Sequence, residues 1–311
     1  MNYLWQIHLI YVVGLFLIGT VVGSFLNVCI YRIPWEKSVI WPGSHCPICL
    51  AEIEARDNIP ILGWLFLGGS CRTCRTPIPA RYPAIELLVG LLFVGAYLVE
   101  AVLPRGYIRD DGLLLAKVFY HLLLISFLVT VTFIDADLTI VPASVTNLGI
   151  VLGLAIGAIF PEVRPVPNAA TTWQGGAWAG VYGMLVGGLL IGVVRVVGGI
   201  VFRREAMGAG DIHILAMIGV YMGWQAAIVT FFLAPFFGLV PALAKLTVYL
   251  GKRLRGRPYL QSDRELPFGP YLSMAALALM YSWIWIWPLA LKFYFTEFSM
   301  LFWTLMGREV S

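Results

Sequence analysis

The chain has 311 residues, of which 60% are hydrophobic and 12% charged, with a mean hydropathy of +0.85. A water-soluble protein of this length needs far more polar surface, so the composition excludes that class and predicts an all-α polytopic membrane protein. The net charge of +4 calls for no nucleic-acid partner.

The first apolar run, 7–30, lacks a basic leading segment and ends in Tyr31-Arg32 instead of a small-residue cleavage site. It therefore reads as a retained membrane helix within 1–33 and not as a signal peptide. Gly19 and Gly23 within it have the GxxxG spacing of close helix packing inside the chain, and Cys29 reads as a packing residue.

Residues 34–82 form a polar insertion with Cys46-Pro47-Ile48-Cys49 and Cys71-Arg72-Thr73-Cys74, separated by 21 residues. Two such knuckles match the four-thiolate zinc template, each giving two sulfurs to a tetrahedral ion. The insertion is too short and too polar for a hydrophobic core of its own, so a structural zinc on Cys46, Cys49, Cys71 and Cys74 would supply its fold. Four thiolates leave no position for a water, which excludes a catalytic metal there. His45, beside Cys46, is a competing ligand that the tetrad makes unnecessary.

Further apolar runs at 83–103, 113–134, 143–160, 176–201, 212–222, 225–250 and 269–290 bring the expected spans to eight and define a membrane core over 83–290. At roughly 1.5 Å per residue, the 212–222 run is too short to cross alone, and its start reads as re-entrant or cavity-lining. Trp283, Trp285 and Trp287 read as an aromatic belt on the outer side. The 291–311 tail holds, over 291–307, either an interfacial amphipathic helix or an incomplete extra span.

Orientation follows from the basic residues. Loops 34–82, 202–211 and 251–264 carry Lys37, Arg56, Arg72, Arg75, Arg81, Arg203, Arg204, Lys252, Arg253, Arg255, Arg257 and Arg264. The alternate loops carry only Arg105, Arg109 and Arg164. Twelve against three places the first set in the cytoplasm and the N-terminus outside. The Lys252–Arg257 cluster reads as a topology determinant resting on anionic lipid headgroups.

By this assignment two acids share the cytoplasmic face: Asp135, in Phe133-Ile134-Asp135-Ala136-Asp137, and Asp211, in Gly208-Ala209-Gly210-Asp211. A carboxylate beside hydrocarbon is costly and persists where it is paired, solvated or used. Two carboxylates brought together share a proton, so one can activate water while the other polarises a carbonyl. The pair points to an aspartic protease. Gly208 and Gly210 read as residues that permit unusual backbone or close approach, and Val141-Pro142 as a restart signal for the next helix. Asp137 reads either as a solvated neighbour or as a group that tunes the pair.

With these motifs in order, the chain closely resembles the bacterial type IV prepilin peptidase family, the prepilin leader peptidase/N-methyltransferases. The resemblance runs over roughly 20–275. Its motifs are Gly23-Ser24-Phe25-Leu26-Asn27-Val28-Cys29-Ile30-Tyr31-Arg32-Ile33-Pro34, the cysteine tetrad around Arg56-Asp57-Asn58-Ile59-Pro60, Arg81-Tyr82-Pro83-Ala84-Ile85-Glu86, both aspartate segments, and Pro267-Phe268-Gly269-Pro270. It implies cleavage of the basic leader from type IV prepilins or type 2 secretion pseudopilins at the cytoplasmic face of the inner membrane. It also implies methylation of the new N-terminus, with S-adenosylmethionine as donor. Asp135 and Asp211 match the two catalytic positions, and the cysteines match the zinc-binding domain associated with methyl transfer. Glu86 resembles a family position whose role is either structural pairing or methyl-donor binding.

Two positions depart from the family pattern. Ala143 stands where Asn or Asp is usual after Pro142, which removes a cap or supporting hydrogen bond. Ile212-His213 replaces an aromatic-lysine pair, and histidine favours an ionised carboxylate only when protonated. A substrate- or pH-dependent shift in activity is one expected consequence, and a helix-end histidine solvated by water is the competing reading. The competing readings are a presenilin-like general intramembrane protease, which the cysteine module and first-span motif disfavour, a membrane scaffold, and a proton-coupled transporter. Transporters place such acids nearer the midplane.

Overall fold

Hydrocarbon offers no partners to backbone N–H and C=O groups, so a chain of this composition must satisfy them within helices. The structure, a computed structural model, describes residues 2–103, 111–165, 172–203, 207–254 and 267–288. Among these the only β-pairings are two isolated bridges in the insertion. The 291–311 tail and six of the counted basic residues (Arg105, Arg109, Arg204, Arg255, Arg257 and Arg264) lie outside the described residues.

In chain order the helices are α1 (Asn2–Arg32), a short α2 (Leu62–Phe66) in the insertion, α3 (Arg81–Tyr97), α4 (Asp111–Leu138), α5 (Ala143–Ile159), α6 (Trp173–Phe202), α7 (Ala209–Met222), α8 (Trp224–Leu254) and α9 (Gly269–Ile286). Six are long and apolar enough to cross a membrane, while α5 and α7 are shorter apolar helices of 17 and 14 residues. Each of the eight expected spans therefore has its helix. The outward faces stay apolar, as Leu185, Leu189 and Val193 on α6 and Phe232, Phe236 and Val240 on α8 show. In water such faces would aggregate, whereas in lipid they are already solvated.

Helix α7 is the centre of the core. At roughly 1.5 Å per residue its 14 residues span about 21 Å, less than the bilayer core. Every residue from Ile214 to Met222 is buried, so other helices, not lipid, surround it. Glycines make this possible. A β-carbon on Gly183 of α6 would strike the Gly219 carbonyl of α7, and one on Gly219 would strike the Gly183 carbonyl. On the other side Gly149 and Gly153 of α5 admit Met217 and Tyr221. Lipid and protein are equally apolar, so this close contact, more than hydrophobic transfer, favours association. The pairings run in opposite directions along α6 and α7 but in the same direction along α5 and α7.

The Gly19–Gly23 reading holds: β-carbons there would meet the backbone of Gly90 and Glu86 on α3, within the same chain. Cys29 is buried, also as expected. The tryptophan reading needs correction. Trp283 is only 3% exposed and stacks on Trp287 at 5.1 Å, because its face of α9 turns inward, whereas Trp285 is half exposed.

Candidate functional site

Asp135 occupies the last turn of α4. The Thr139 N–H donates back to the Asp135 carbonyl at 2.8 Å, and Thr139 then leaves the helix in the left-handed region at φ 54°. The chain passes Val141-Pro142 and restarts as α5 at Ala143, with extended Pro142 as its N-cap. Asp135 is 5% exposed, and its Oδ2 accepts the Gly269 N–H at 3.0 Å. Gly269 opens α9, so this N–H is one of the donors a helix start leaves unsatisfied, at the positive end of the helix dipole.

Asp211, 6% exposed, is the third residue of α7. Its carboxylate turns back toward the N-cap residue Gly208, as the third-position acid of a capping box does. The charges of Asp211 and Asp135 lie within interaction range of one another. Gly269 marks where their helices meet: a β-carbon there would stand 2.5 Å from Asp135 Oδ2 and 2.8 Å from Ile214 Cδ1. Tyr271, in the first turn of α9, lies within electrostatic reach of Asp135. Two acids 76 positions apart in sequence thus share one buried corner, formed by the end of α4 and the starts of α7 and α9.

The glycines of Gly208-Ala209-Gly210-Asp211 work differently from the conformational half of the sequence reading. Gly208 has an ordinary extended backbone (φ −66°, ψ 146°), and neither glycine has positive φ. Gly210 is needed for approach, since a β-carbon there would lie 2.5 Å from Val141 Cβ. His213 is exposed, because two residues along a helix turn a side chain about 200° away from Asp211. Ala143 is exposed too, and the Pro142 N-cap has no side-chain cap bond. Asp137 belongs to neither proposed role alone. It pairs with Arg81 (2.6 Å), whose guanidinium also lies over the Phe133 ring, tying the start of α3 to the end of α4.

The insertion folds as twin turns. Cys46 N–H donates to Ala51 and Cys71 N–H to Thr76, both at 2.9 Å. Leu50 and Arg75 close the two turns at the same φ of 59°. The bridges His45–Glu52 and Ser70–Pro77 flank them at equal spacing. All four sulfurs lie within 4.8 Å of one another, with Cys46–Cys74 at 3.8 Å and Cys49–Cys71 at 3.9 Å. Zinc–sulfur bonds near 2.3 Å in a tetrahedron require sulfur–sulfur edges of about 3.8 Å, so the donor set fits zinc. His45 stays outside the cluster, exposed, its Nδ1 3.0 Å from the Gly43 carbonyl.

Around the tetrad, the Thr76 hydroxyl and backbone beside Cys74 pull its thiol down to about 6, whereas Cys49 is pushed up to about 11. For Cys49 the backbone bond to Ala51 pulls the other way, and burial together with the neighbouring thiols prevails. Arg72 grips Asp57 through two bonds and holds that carboxyl below its ordinary range. Glu86, in α3, accepts the Ile61 N–H at 2.6 Å, which makes it a structural partner of the insertion. Ile61 itself sits at φ 61°, a conformation β-branched residues rarely adopt.

Sequence reading missed Gly269 as a partner of Asp135, although the Pro267–Pro270 segment carried the only available signal. It also missed the inward direction of Arg164, which is 4% exposed and bonded to the carbonyls of Val220 and Gly157.

Comparison with known proteins matches residues 17–99 to the bacterial peptidase A24 N-terminal domain and residues 122–243 to the type IV leader peptidase family. A prepilin leader peptidase/N-methyltransferase of Myxococcus xanthus is 37% identical over 268 residues, covering 85% of this chain and 71% of that protein. One of the same name from Aeromonas hydrophila is 32% identical over 86% of this chain and 89% of its own length. The type 4 prepilin-like proteins leader peptide-processing enzyme of Escherichia coli is 33% identical, covering 85% and 91%. No solved structure matches. With both family regions present in order and relatives matched over most of their length, the chain is an enzyme that belongs to the type IV leader peptidase family.

Proposed function

We propose that the chain removes the leader peptide from type IV prepilins or type 2 secretion pseudopilins, with Asp135 and Asp211 as the catalytic pair, and then methylates the new N-terminus. The observation that carries this reading is two buried carboxylates within electrostatic reach of one another, with Asp135 held against Gly269. One oxygen of Asp135 is held by the Gly269 N–H, which fixes the carboxylate in the last turn of α4. One carboxylate takes a proton from water as the oxygen attacks the scissile carbonyl carbon, and the other, protonated, donates to the carbonyl oxygen. Collapse of the tetrahedral intermediate breaks the C–N bond, and the amine leaves with a proton from the pair. When bound, S-adenosylmethionine would supply a methyl group to that freed amine, the donor ending as a neutral thioether and the nitrogen losing a proton.

The twelve-to-three charge asymmetry supports a cytoplasmic location for the insertion and the pair, in the inner membrane, with the N-terminus outside. The Arg81–Asp137 pair supports the same side for both, because it joins the base of the insertion to the end of α4. Cys46, Cys49, Cys71 and Cys74 would hold a structural zinc, which crosslinks the two turns. The working units are α1, the insertion over 34–82, and the membrane peptidase core over 83–290.

The decisive experiment uses purified enzyme in detergent or liposomes with a prepilin substrate. Asp135→Asn and Asp211→Asn are each expected to abolish cleavage without loss of fold. Substantial cleavage by either variant rules out the pair. Transfer of labelled methyl from S-adenosylmethionine to cleaved product tests the second activity separately.

A further inference from the structure

We propose that Arg164 and Tyr120 form a brace that sets the axial position of α7 against α4, and thereby the spacing of Asp211 from Asp135. The inference rests on the acid pair proposed above. Arg164 is buried at the opposite end of α7 from Asp211, where its Nε donates to the Val220 carbonyl at 3.0 Å and its Nη1 to the Gly157 carbonyl at 3.1 Å. The Tyr120 hydroxyl, fully buried on α4, lies 3.1 Å from the same Val220 carbonyl and 3.1 Å from the Gly153 carbonyl. Three helices are joined at one point: α4 through Tyr120, α5 through two carbonyls, and α7 through Val220.

The chemistry suits the place. Val220 and Gly157 lie in the last turns of α7 and α5, whose carbonyls lack helical partners and carry the negative end of the helix dipole. A guanidinium presents several donors in a fixed fork, so one side chain can serve both helix ends. Space has been cleared for it: a β-carbon on Gly180 would lie 2.6 Å from Arg164 Nη2, and one on Gly157 would overlap the same atom.

A brace is needed because α7 lies between glycine faces. Toward α6 the Gly183–Gly219 contact is backbone to backbone and offers no side-chain knob against axial sliding, which leaves Met217 and Tyr221, seated against the α5 glycines, to resist it. The bonds at Val220 add a stop, about 14 Å along α7 from Asp211. On α4, Tyr120 and Asp135 are about 22 Å apart. Each helix therefore carries one brace atom and one acid, and slippage at the first end changes the separation at the second.

Tyr120→Phe keeps the ring and removes one hydroxyl, so it is the first variant to test, followed by Arg164→Lys and Arg164→Gln. Prepilin cleavage is measured per folded enzyme as kcat and KM across pH. A displacement near 1 Å at a reacting group costs up to a hundredfold, so Tyr120→Phe is expected to lower kcat about tenfold. KM should change less than twofold, and the spacing between the two limbs of the pH–rate profile should shift because the carboxylates' coupling depends on distance. Arg164→Lys should recover part of the activity lost in Arg164→Gln. Reduced yield or melting temperature with wild-type kcat and pH profile in the folded fraction overturns the brace. If Arg164→Gln fails to fold, Tyr120→Phe decides. Asp135→Asn and Asp211→Asn run in parallel: cleavage by either removes the pair and the brace with it, whereas inactive asparagine variants beside an unaffected Tyr120→Phe remove the brace alone.

Discussion

A β-carbon at position 269 would sit 2.5 Å from Asp135 Oδ2, far inside any non-bonded carbon–oxygen contact, so either the carboxylate or α9 must move. The N–H that orients Asp135 belongs to the same residue, and Gly269→Ala therefore disturbs contact and hydrogen bond together. Its expected effect is a fall in kcat of about a hundredfold with a much smaller change in KM, since positioning at the reacting group is lost. Steady-state kinetics on folded enzyme checks this, and a wild-type kcat would show that Gly269 does not position Asp135. His213 leads to the opposite expectation. Because it is exposed and faces away from Asp211, as the solvated-histidine reading has it, His213→Lys should leave the pH–rate profile unchanged. A displaced limb in that profile would mean that the charge at 213 reaches the pair after all.

Between helices, the glycines of α6 and α7 do what side-chain burial does in a soluble core. Gly183 and Gly219 meet backbone to backbone, so Gly183→Ala must push two helices apart. A β-carbon at Gly192, on the same helix, meets nothing within 4 Å. Alanine there should be neutral or stabilising by about 0.5–1 kcal/mol, by helix propensity alone. Thermal unfolding in detergent should therefore separate the two, with Gly183→Ala clearly destabilised and Gly192→Ala not; equal melting temperatures would contradict the contact. This level was the least legible in the sequence. Hydropathy located all eight apolar helices because crossing hydrocarbon demands long apolar runs. It could not say which face of each helix meets protein, because lipid-facing and protein-facing sides are equally apolar. Trp283 was misread as a belt residue for that reason. Arg164 was counted simply as a loop cation, since its carbonyl partner at Val220 lies 56 residues further on. The pairing of Asp135 with Asp211 was legible because charge bias assigns sides independently of packing, but the Gly269 contact depends on α9 returning to the same corner.

Across the whole molecule, the two regions matched by the family models hold different parts of the structure. Residues 17–99 hold the second half of α1, the cysteine turns and α3, and residues 122–243 hold both acids. The insertion is tied to the membrane helices by the Arg32 bonds to Ser38 and Gly43, by Glu86 to Ile61, and to the end of α4 by Arg81 to Asp137. Its apolar side chains Ile48, Leu50, Leu65 and Phe66 are exposed, so a metal on the four sulfurs would supply its fold. At pH 7 the Cys74 thiol, drawn down to about 6, is largely ionised, whereas Cys49, raised to about 11, keeps its proton. Metal binding must therefore expel protons, and zinc affinity should rise from about pH 6 to pH 9 as proton competition falls. Without metal the sign differs between the two thiols. The lowered Cys74 contributes stability that is full above its ordinary value of 9.0 and lost as pH falls through about 6. The raised Cys49 favours folding while protonated and loses that contribution as pH rises through about 11. Asp57, held low by Arg72, also supports the insertion above the ordinary carboxylate range, and that support disappears as acid takes the pH through its lowered value. Chelation at neutral pH, or Cys46→Ser with Cys49→Ser, should open the insertion to proteolysis while α4, α5, α7 and α9 keep the acid corner together. Cleavage should then decline severalfold and methyl transfer disappear. Measuring both activities on one metal-stripped sample tests this division, because equal loss of the two would mean that the zinc turns hold the acid corner itself.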